Sequence, residues 1–222
     1  MATPLCSRSE HFARRASEVP FELKLFLVRH GETPWTIAKR YQGTTDVPLS
    51  PRGIRQAKAV AKVLRREALD RIYTSGLKRA QDTARLIARK TGIKPVVDRR
   101  LNELHFGNWE GAHYRRLSKE GGIQFRQWRE GRLKRPPGGE SVDSLARRVG
   151  QFFREIARRH RKEKVAIVSH GGPIRMILFK ILRSSSSIWS FRIDPGSISL
   201  VEGDPRLFQI AWTNRINHLP SR

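Results

Sequence analysis

Apolar blocks with strand-like and helix-like spacing alternate along the chain from Phe21 onward. Short, nearly continuous apolar runs are typical of strands covered on both faces, whereas apolar residues three and four positions apart indicate a helix with one buried side. The strand-like runs are residues 23–28, 71–74, 96–97, 165–168, 198–201 and 207–212. The alternation predicts an α/β fold with three layers, in which helices cover both faces of a mostly parallel sheet.

Four helices are predicted between these strands. Ser50 and Pro51 provide an N-cap and a first-turn proline for one of them, and Gly92 is suited to end another in a left-handed conformation. A further helix covers about residues 173–182. The apolar stripes of the other three are Ile54-Ala57-Ala61-Leu64-Ala68, Leu77-Ala80-Ala84-Ile87 and Val142-Leu145-Val149-Phe152-Ile156. We expect residues 104–139 to be the least regular part, an excursion above the sheet.

Length and composition narrow the class of protein. The 222 residues, with an apolar fraction of 38%, suit one large domain. We assign it to residues 21–222 and expect residues 1–20, which mix arginines and serines without periodicity, to form a flexible basic tail. No apolar run approaches the roughly 20 residues of a membrane-spanning helix. Cys6 is the only cysteine, which excludes an intramolecular disulfide and fits a reducing cytoplasm.

The predicted strand ends carry the candidate chemistry. Ligands of open α/β sheets bind at the carboxyl ends of the strands. The first strand runs into Arg29-His30-Gly31, the strand at 165–168 runs into Ser169-His170-Gly171-Gly172, and the strand at 71–74 runs towards Arg79. Two histidines and two arginines are therefore expected at one rim of the sheet.

These residue types suit phosphoryl transfer. A neutral imidazole is a competent nucleophile, and arginine forks hold phosphate oxygens in pairs. Glycines let the backbone approach a ligand and present its N–H groups. With these cations present, the reaction needs no metal ion, but it does need a proton donor for the leaving oxygen, usually a carboxylic acid.

The sequence resembles the histidine phosphatase superfamily, also called phosphoglycerate mutase-like, over about residues 23–218. The motifs that carry the resemblance are LVRHGETPW at 27–35, RYQG at 40–43, DVPLS at 46–50, TSGLKRA at 74–80, LNEL at 101–104, FGNWEG at 106–111, PGGES at 137–141 and VSHGG at 168–172. Their order is that of the family, and the set is closest to the small broad-specificity and α-ribazole phosphatases.

The resemblance implies a role for each matched residue. His30 is implied as the nucleophile that becomes a phosphohistidine, and Glu103 as the proton donor and later the base. Arg29, Arg79 and His170 are implied to hold the phosphate. The substrate-binding residues implied are Gln42, Gly43, Gly171 and Thr36, the last standing where the family usually has Asn. No metal or other cofactor is implied, and a homodimer is compatible with the resemblance.

Three alternatives remain beside a phosphatase for small monoesters. A cofactor-dependent phosphoglycerate mutase shares the site, but only 67 positions separate Glu103 from His170, fewer than mutases typically have. A net charge of +25 also suits a nucleic-acid-binding protein, with basic residues at 126–135 and 147–159. These charges are dispersed, so attraction of small phosphoesters is favoured. A metallohydrolase is disfavoured because Arg29 and Arg79 would repel a cation.

Overall fold

A single six-stranded sheet organises the chain. The computed structural model describes residues 23–120, 122–183 and 188–221, and the sheet order is β3-β2-β4-β1-β5-β6. The strands are β1 (Leu23–Arg29), β2 (Arg71–Thr74), β3 (Val96–Val97), β4 (Lys164–Ser169), β5 (Ile198–Gly203) and β6 (Phe208–Arg215). The first four are parallel, while β5 pairs antiparallel with β1 and β6 antiparallel with β5. The predicted mostly parallel sheet is confirmed.

Helices cover both faces of the sheet. They are α1 (Pro34–Ile37), α2 (Pro51–Arg66), α3 (Lys78–Thr91), α4 (Tyr114–Glu120), α5 (Gly122–Arg129), α6 (Val142–Arg159) and α7 (Gly171–Leu182). One apolar core lies between the sheet and α2 with α3, and the other lies between the sheet and α6 with α7. This arrangement confirms the predicted three layers.

The central strand β1 shows why its run of apolar residues is nearly continuous. Leu25 and Leu27 point into the core beneath α6 and α7, whereas Phe26 and Val28 point into the core beneath α2 and α3. All four side chains are almost fully buried. Because successive side chains of a strand face opposite sides, a strand covered on both faces has to be apolar throughout.

The predicted helix signals are confirmed, but one apolar stripe is partly wrong. The Ser50 hydroxyl accepts a hydrogen bond from the Gly53 N–H at the start of α2, and Gly92 ends α3 with a φ of 78°. In α2, however, Ile54 is exposed and Ala68 lies beyond the helix. The residues of α2 that are buried are Gly53, Gln56, Ala57, Val60, Ala61 and Leu64.

The excursion at 104–139 is more regular than we predicted. It contains α4, α5 and a 3-10 turn at Gly107–Trp109. Trp109, Phe125 and Trp128 pack edge-to-face against one another, with ring centroids 5.4 and 5.9 Å apart, and join the core beneath α6 and α7. The two helices are seven and eight residues long, too short for a clear helical period in the sequence.

The surface carries most of the basic residues. On α6, Arg147, Arg154, Arg158 and Arg159 are exposed as expected, but Arg148 is turned towards the protein. Within the described residues, no helix is both long and apolar enough to cross a membrane. The proposed tail at 1–20 lies outside the described residues, so the boundary between the tail and the domain stays a prediction.

Candidate active site

The predicted site residues meet at the carboxyl ends of β1, β2 and β4. Arg29 ends β1 and His30 follows it, His170 follows β4, and Arg79 lies in the first turn of α3 after β2. The ring centroids of His30 and His170 are 5.0 Å apart. Both rings and the Arg79 side chain are almost completely buried. The rule that ligands bind at the strand ends therefore locates this cluster.

The His30 ring is held in one orientation by two contacts. Its Nδ1 lies 2.7 Å from the carbonyl oxygen of Gly31, which can only accept, so Nδ1 carries the ring proton. Arg79 Nε donates to Nε2 over 3.3 Å. Burial, with the charges of Arg79 and Arg29, holds the pKa of His30 well below its usual value. His30 is consequently neutral near pH 7, with its lone pair on Nε2.

His170 faces His30 and is oriented by Ser75, a residue that we did not predict. Ser75 Oγ lies 2.6 Å from His170 Nε2 and also accepts a hydrogen bond from the Leu77 N–H. Within the described residues the buried Ser75 hydroxyl has no acceptor other than His170 Nε2, so it donates to Nε2 and the ring proton lies on Nδ1. Nδ1 is buried and has no hydrogen-bond partner within the described residues. Burial and the charge of Arg79 lower the pKa of His170, so this ring is neutral too.

Arg79 is fixed by the loop that follows α1. Its two terminal nitrogens donate to the carbonyl oxygens of Thr45 and Gly43, over 2.8 and 2.7 Å. Gly43 has a φ of 53°, and a Cβ there would overlap the carboxylate of Glu110. Glu110 accepts hydrogen bonds from the N–H groups of Thr44 and Thr45. The predicted residue Gly43 thus lines the site and also holds Arg79 in place.

Arg29 is the second arginine of the site, and it is partly buried. One of its terminal nitrogens donates to the Ile193 carbonyl oxygen over 2.6 Å, while its Nε has no partner within the described part of the chain. Burial and the neighbouring charge of Arg175 lower the pKa of Arg29 to about 10, which leaves it charged near pH 7. A buried charge of this kind is costly unless a counter-charge is near. A bound phosphate would provide one.

Glu103 lies at the N-terminus of α7. Its carboxylate accepts from the Gly172 N–H over 3.0 Å and from the Leu104 N–H over 2.9 Å. A Cβ on Gly172 would overlap Glu103 Oε1. The second glycine after His170 is therefore needed so that the carboxylate can approach the helix. Gly171 lines the site, but the amide that Glu103 contacts belongs to Gly172.

Thr36 and Gln42 differ in whether their side-chain oxygens already make hydrogen bonds. The Thr36 hydroxyl accepts from the Thr33 N–H and donates to the Thr33 carbonyl oxygen, so it closes the capping box of α1. Gln42 is almost buried, and its Oε1 has no partner within the described residues. Both line the cavity beside His30. Gln42 thus presents an unpaired acceptor, whereas the hydroxyl of Thr36 is already engaged.

The cavity above His30 is strongly cationic. Its volume is about 400 Å³. Its charged lining consists of one carboxylate, Glu103, and six cations, Arg29, Lys39, Arg40, Arg79, Arg129 and Arg175. Arg175 donates through Nε to the Phe191 carbonyl oxygen and lies over the Trp189 ring.

Four of these six cations were missed or misread by sequence reasoning. Arg129 belongs to the basic run at 126–135 and Arg40 to a motif of the resemblance, but neither was given a role in the site. Lys39 and Arg175 were not singled out. Arg175 offered one signal, since it is the only charged residue in the first two turns of a largely apolar helix. A separate cavity of about 450 Å³, lined mostly by apolar residues behind Trp128, contains none of the predicted residues.

The comparisons with known proteins agree with this geometry. A parallel sheet with two neutral histidines, two arginines and a carboxylate at one rim defines a phosphoryl-transfer enzyme. The chain belongs to the histidine phosphatase superfamily (branch 1), whose family model matches residues 25–216. Within the described residues, no group of three or more His, Cys, Asp or Glu side chains is arranged to hold a metal ion.

Individual relatives match over most of their length. The chain is 38% identical to phosphoserine phosphatase 1 of Hydrogenobacter thermophilus over 89% of this chain and 94% of that protein. It is 34% identical to the adenosylcobalamin/α-ribazole phosphatase of Salmonella typhimurium, with coverages of 81% and 90%. A phosphoserine phosphatase from Entamoeba histolytica, solved with 3-phosphoglyceric acid, superposes with a TM-score of 0.79 at 28% identity and coverages of 89% and 100%. The predicted family and its phosphatase class are thereby confirmed.

Proposed function

We propose that the protein hydrolyses small phosphate monoesters without a metal ion, through a phosphohistidine on His30. One observation carries the proposal. His30 is neutral, has its lone pair on Nε2, and points that atom at a site bounded by Arg79 and His170. Phosphoryl transfer depends mainly on positioning and on charge stabilisation, and the buried arginines provide both.

The reaction has two steps. His30 Nε2 attacks phosphorus, the ester P–O bond breaks, and Glu103 in its protonated form gives its proton to the departing oxygen. Water then attacks the phosphohistidine, the P–N bond breaks, and the Glu103 carboxylate takes a proton from that water. Phosphate leaves with His30 neutral again. Arg29, Arg79 and the Nδ1–H of His170 would hold the three non-bridging oxygens.

The cavity lining favours an alcohol that carries a second acidic group. A phosphate dianion balances two of the six cations that line the cavity, and Glu103 is protonated when the substrate binds, so an excess of positive charge remains. The Entamoeba relative was solved with a molecule that carries both a phosphate and a carboxylate. We therefore propose phosphorylated hydroxy acids as substrates. Gln42, Gly43 and Gly171 also line this cavity, which supports a contact of each with such a ligand.

The test is phosphate release in EDTA from matched esters. Phosphoserine and 3-phosphoglycerate carry a second acid, whereas glycerol phosphate and p-nitrophenyl phosphate do not. His30→Ala should lose turnover by about a thousandfold or more, and His105→Ala, which removes a half-exposed histidine outside the site, should not. Release that needs a divalent cation, or that survives in His30→Ala, would refute the proposal.

Two variants on α5 test whether the substrate carries a second acidic group. Arg129 lines the cavity, whereas Arg126 on the same helix is exposed and does not. Arg129→Met should lower kcat/KM for phosphoserine about tenfold, the value of a charge-assisted hydrogen bond. It should leave kcat/KM for p-nitrophenyl phosphate nearly unchanged, and Arg126→Met should affect neither. Equal losses on both esters would contradict the substrate class.

The remaining alternatives give different outcomes. A mutase would show little phosphate release and would interconvert phosphoglycerates after priming with a bisphosphorylated ester. A nucleic-acid-binding protein would bind RNA with a steep salt dependence that His30→Ala does not alter. A homodimer and a cytoplasmic location stay predictions, which light scattering and cell fractionation would test.

A further inference from the structure

Arg148 contacts the chain segment that carries Glu103, although no residue of its own helix lines the cavity. It is the seventh residue of α6, and its side chain is mostly buried. One terminal nitrogen donates to the carbonyl oxygens of Arg100 and Asn102, over 2.8 and 2.6 Å. The other donates to the carbonyl oxygen of Glu103 over 3.1 Å. Of the four consecutive carbonyl groups of residues 100–103, three thus accept hydrogen bonds from one guanidinium.

Glu140 completes this contact. Arg148 Nε and a terminal nitrogen donate to its two carboxylate oxygens over 2.8 and 2.7 Å, which makes a bidentate pair. The Glu140 N–H donates to the carbonyl oxygen of His105 over 2.8 Å. Glu140 is therefore tied to the chain just after Glu103, and Arg148 is tied to the chain up to it.

The segment held in this way has little regular structure of its own. Residues 100–103 belong to the end of a short 3-10 turn and the extended stretch after it. The carbonyl of Leu101, which Arg148 does not reach, accepts from the Ser169 hydroxyl over 2.7 Å. Side chains from neighbouring elements thus satisfy this backbone, which would otherwise depend on water.

We propose that Arg148 and Glu140 together are positioning residues for Glu103, fixing the backbone from which the proton donor reaches the leaving oxygen. The inference rests on the proposed function of Glu103. Arg148 acts only through Glu103. The planar fork of arginine serves three carbonyls and a carboxylate at once, which the single ammonium of lysine does not.

Kinetics with leaving groups of different acidity test the proposal. Arg148→Met should lower kcat/KM for an alkyl phosphate, whose leaving oxygen needs a proton, by about a hundredfold, the cost of a displacement near 1 Å. For p-nitrophenyl phosphate the loss should stay below about threefold, because its leaving group departs unprotonated. Proton donation raises the rate by about 10²-fold or more only for esters whose leaving oxygen needs the proton. Arg148→Lys should be intermediate. The matched control is Arg147→Met, which removes the exposed neighbour.

A double variant separates positioning from a general loss of structure. Glu103→Gln already lacks the proton donor, so adding Arg148→Met should cost little more on the alkyl ester. The inference would be overturned if the double variant lost the product of the two single losses. It would also be overturned if Arg148→Met lost as much kcat/KM on p-nitrophenyl phosphate as on the alkyl ester. If Glu103→Gln instead lost the same factor of kcat/KM on both esters, the proposed function of Glu103 would be refuted.

Hydrogen exchange of the unliganded protein tests the contact without turnover. Arg148→Met should raise amide exchange at Leu104 and Gly172, whose N–H groups bind the Glu103 carboxylate, by about tenfold, and should leave α2 and α3 unchanged. Exchange that does not change at these amides, or that rises equally everywhere, would contradict the positioning role even if the enzyme proved active.

Discussion

At the scale of residues, the proposed reaction depends on which ring nitrogen of each of the two histidines carries the proton. The Gly31 carbonyl holds the proton of His30 on Nδ1, and Ser75 directs the proton of His170 to Nδ1 as well. One ring therefore offers a lone pair to the substrate, while the other offers an N–H. Burial beside Arg79 keeps both rings neutral, which is the state that a nucleophile requires.

Removal of the Ser75 hydroxyl should impair turnover more than binding. In Ser75→Ala, His170 is free to place its proton on either nitrogen, so kcat should fall by about tenfold, the value of one hydrogen bond to a developing charge. Thr91→Ala is the control, since it deletes a hydroxyl at the end of α3 that donates to the Ile87 carbonyl oxygen and accepts from the Ile93 N–H. Steady-state kinetics and the ¹⁵N shifts of His170 measure the effect. An unchanged tautomer and kcat would contradict the assignment.

The lowered histidine pKa values predict how stability depends on pH. His30 and His170 titrate near 6.5 when unfolded and well below that when folded, so the unfolded state binds more protons beneath pH 6.5. Stability should therefore fall as the pH drops from about 7 to 5, by up to about 1.4 kcal/mol per pH unit for each ring. Thermal melts of His30→Ala and His170→Ala should show a shallower fall. A slope equal to that of the wild type would contradict the prediction.

At the scale of elements, loops and helix ends shape the site more than the sheet does. The strands bring His30 and His170 to one rim, but the loop at 42–46 orients Arg79, and the N-terminus of α7 receives Glu103. Glu110 holds that loop, because its carboxylate accepts hydrogen bonds from Thr44, Thr45 and Phe106. The site thus depends on contacts between elements that are distant in sequence.

A methyl group at the start of α7 should displace the proton donor. In Gly172→Ala the Cβ would overlap Glu103 Oε1, so the variant should resemble Glu103→Gln, with a large loss of kcat/KM on alkyl phosphates and a small loss of kcat/KM on p-nitrophenyl phosphate. Gly150→Ala is the matched control, because its Cβ would meet only the ends of two flexible side chains, Lys180 at 2.9 Å and Arg154 at 3.4 Å. Kinetics on both esters measure the effect. Full activity of Gly172→Ala on alkyl phosphates would contradict the position of Glu103.

Part of the site, but not all of it, could be predicted from the elements in the sequence. The two strands that run into histidine and glycine located the rim, since a strand and its carboxyl end can be recognised from a local pattern. Arg148 and Arg175 were missed or misread because their partners are backbone carbonyls far away in sequence. The apolar pattern of α2 likewise did not predict that Gln56 is buried, because its side chain accepts a hydrogen bond from the Glu32 N–H.

At the scale of the whole molecule, the net charge of +25 should attract small anions and strain the fold. Such a charge raises the local concentration of anionic substrates and also destabilises the compact state by self-repulsion. Salt screens both effects, with a Debye length of about 10 Å at 0.1 M and about 3 Å at 1 M.

Salt should therefore change activity and stability in opposite directions. Between about 10 mM and 500 mM sodium chloride, kcat/KM for phosphoserine should fall several-fold, because attraction of the anion is screened. The melting temperature should rise over the same range, because repulsion among the arginines is screened as well. Kinetics and thermal melts across the salt series measure both effects. A melting temperature that falls with salt would show that attractive ion pairs dominate the surface.

The most direct test of the account is to trap the phosphorylated protein. Wild-type protein mixed with a labelled substrate and quenched in alkali should carry an acid-labile phosphoryl group on the peptide that contains His30. His30→Ala should carry no label, whereas Glu103→Gln should accumulate it from p-nitrophenyl phosphate, because hydrolysis then lacks its base. Turnover without label, or label on a residue other than His30, would contradict the phosphohistidine mechanism.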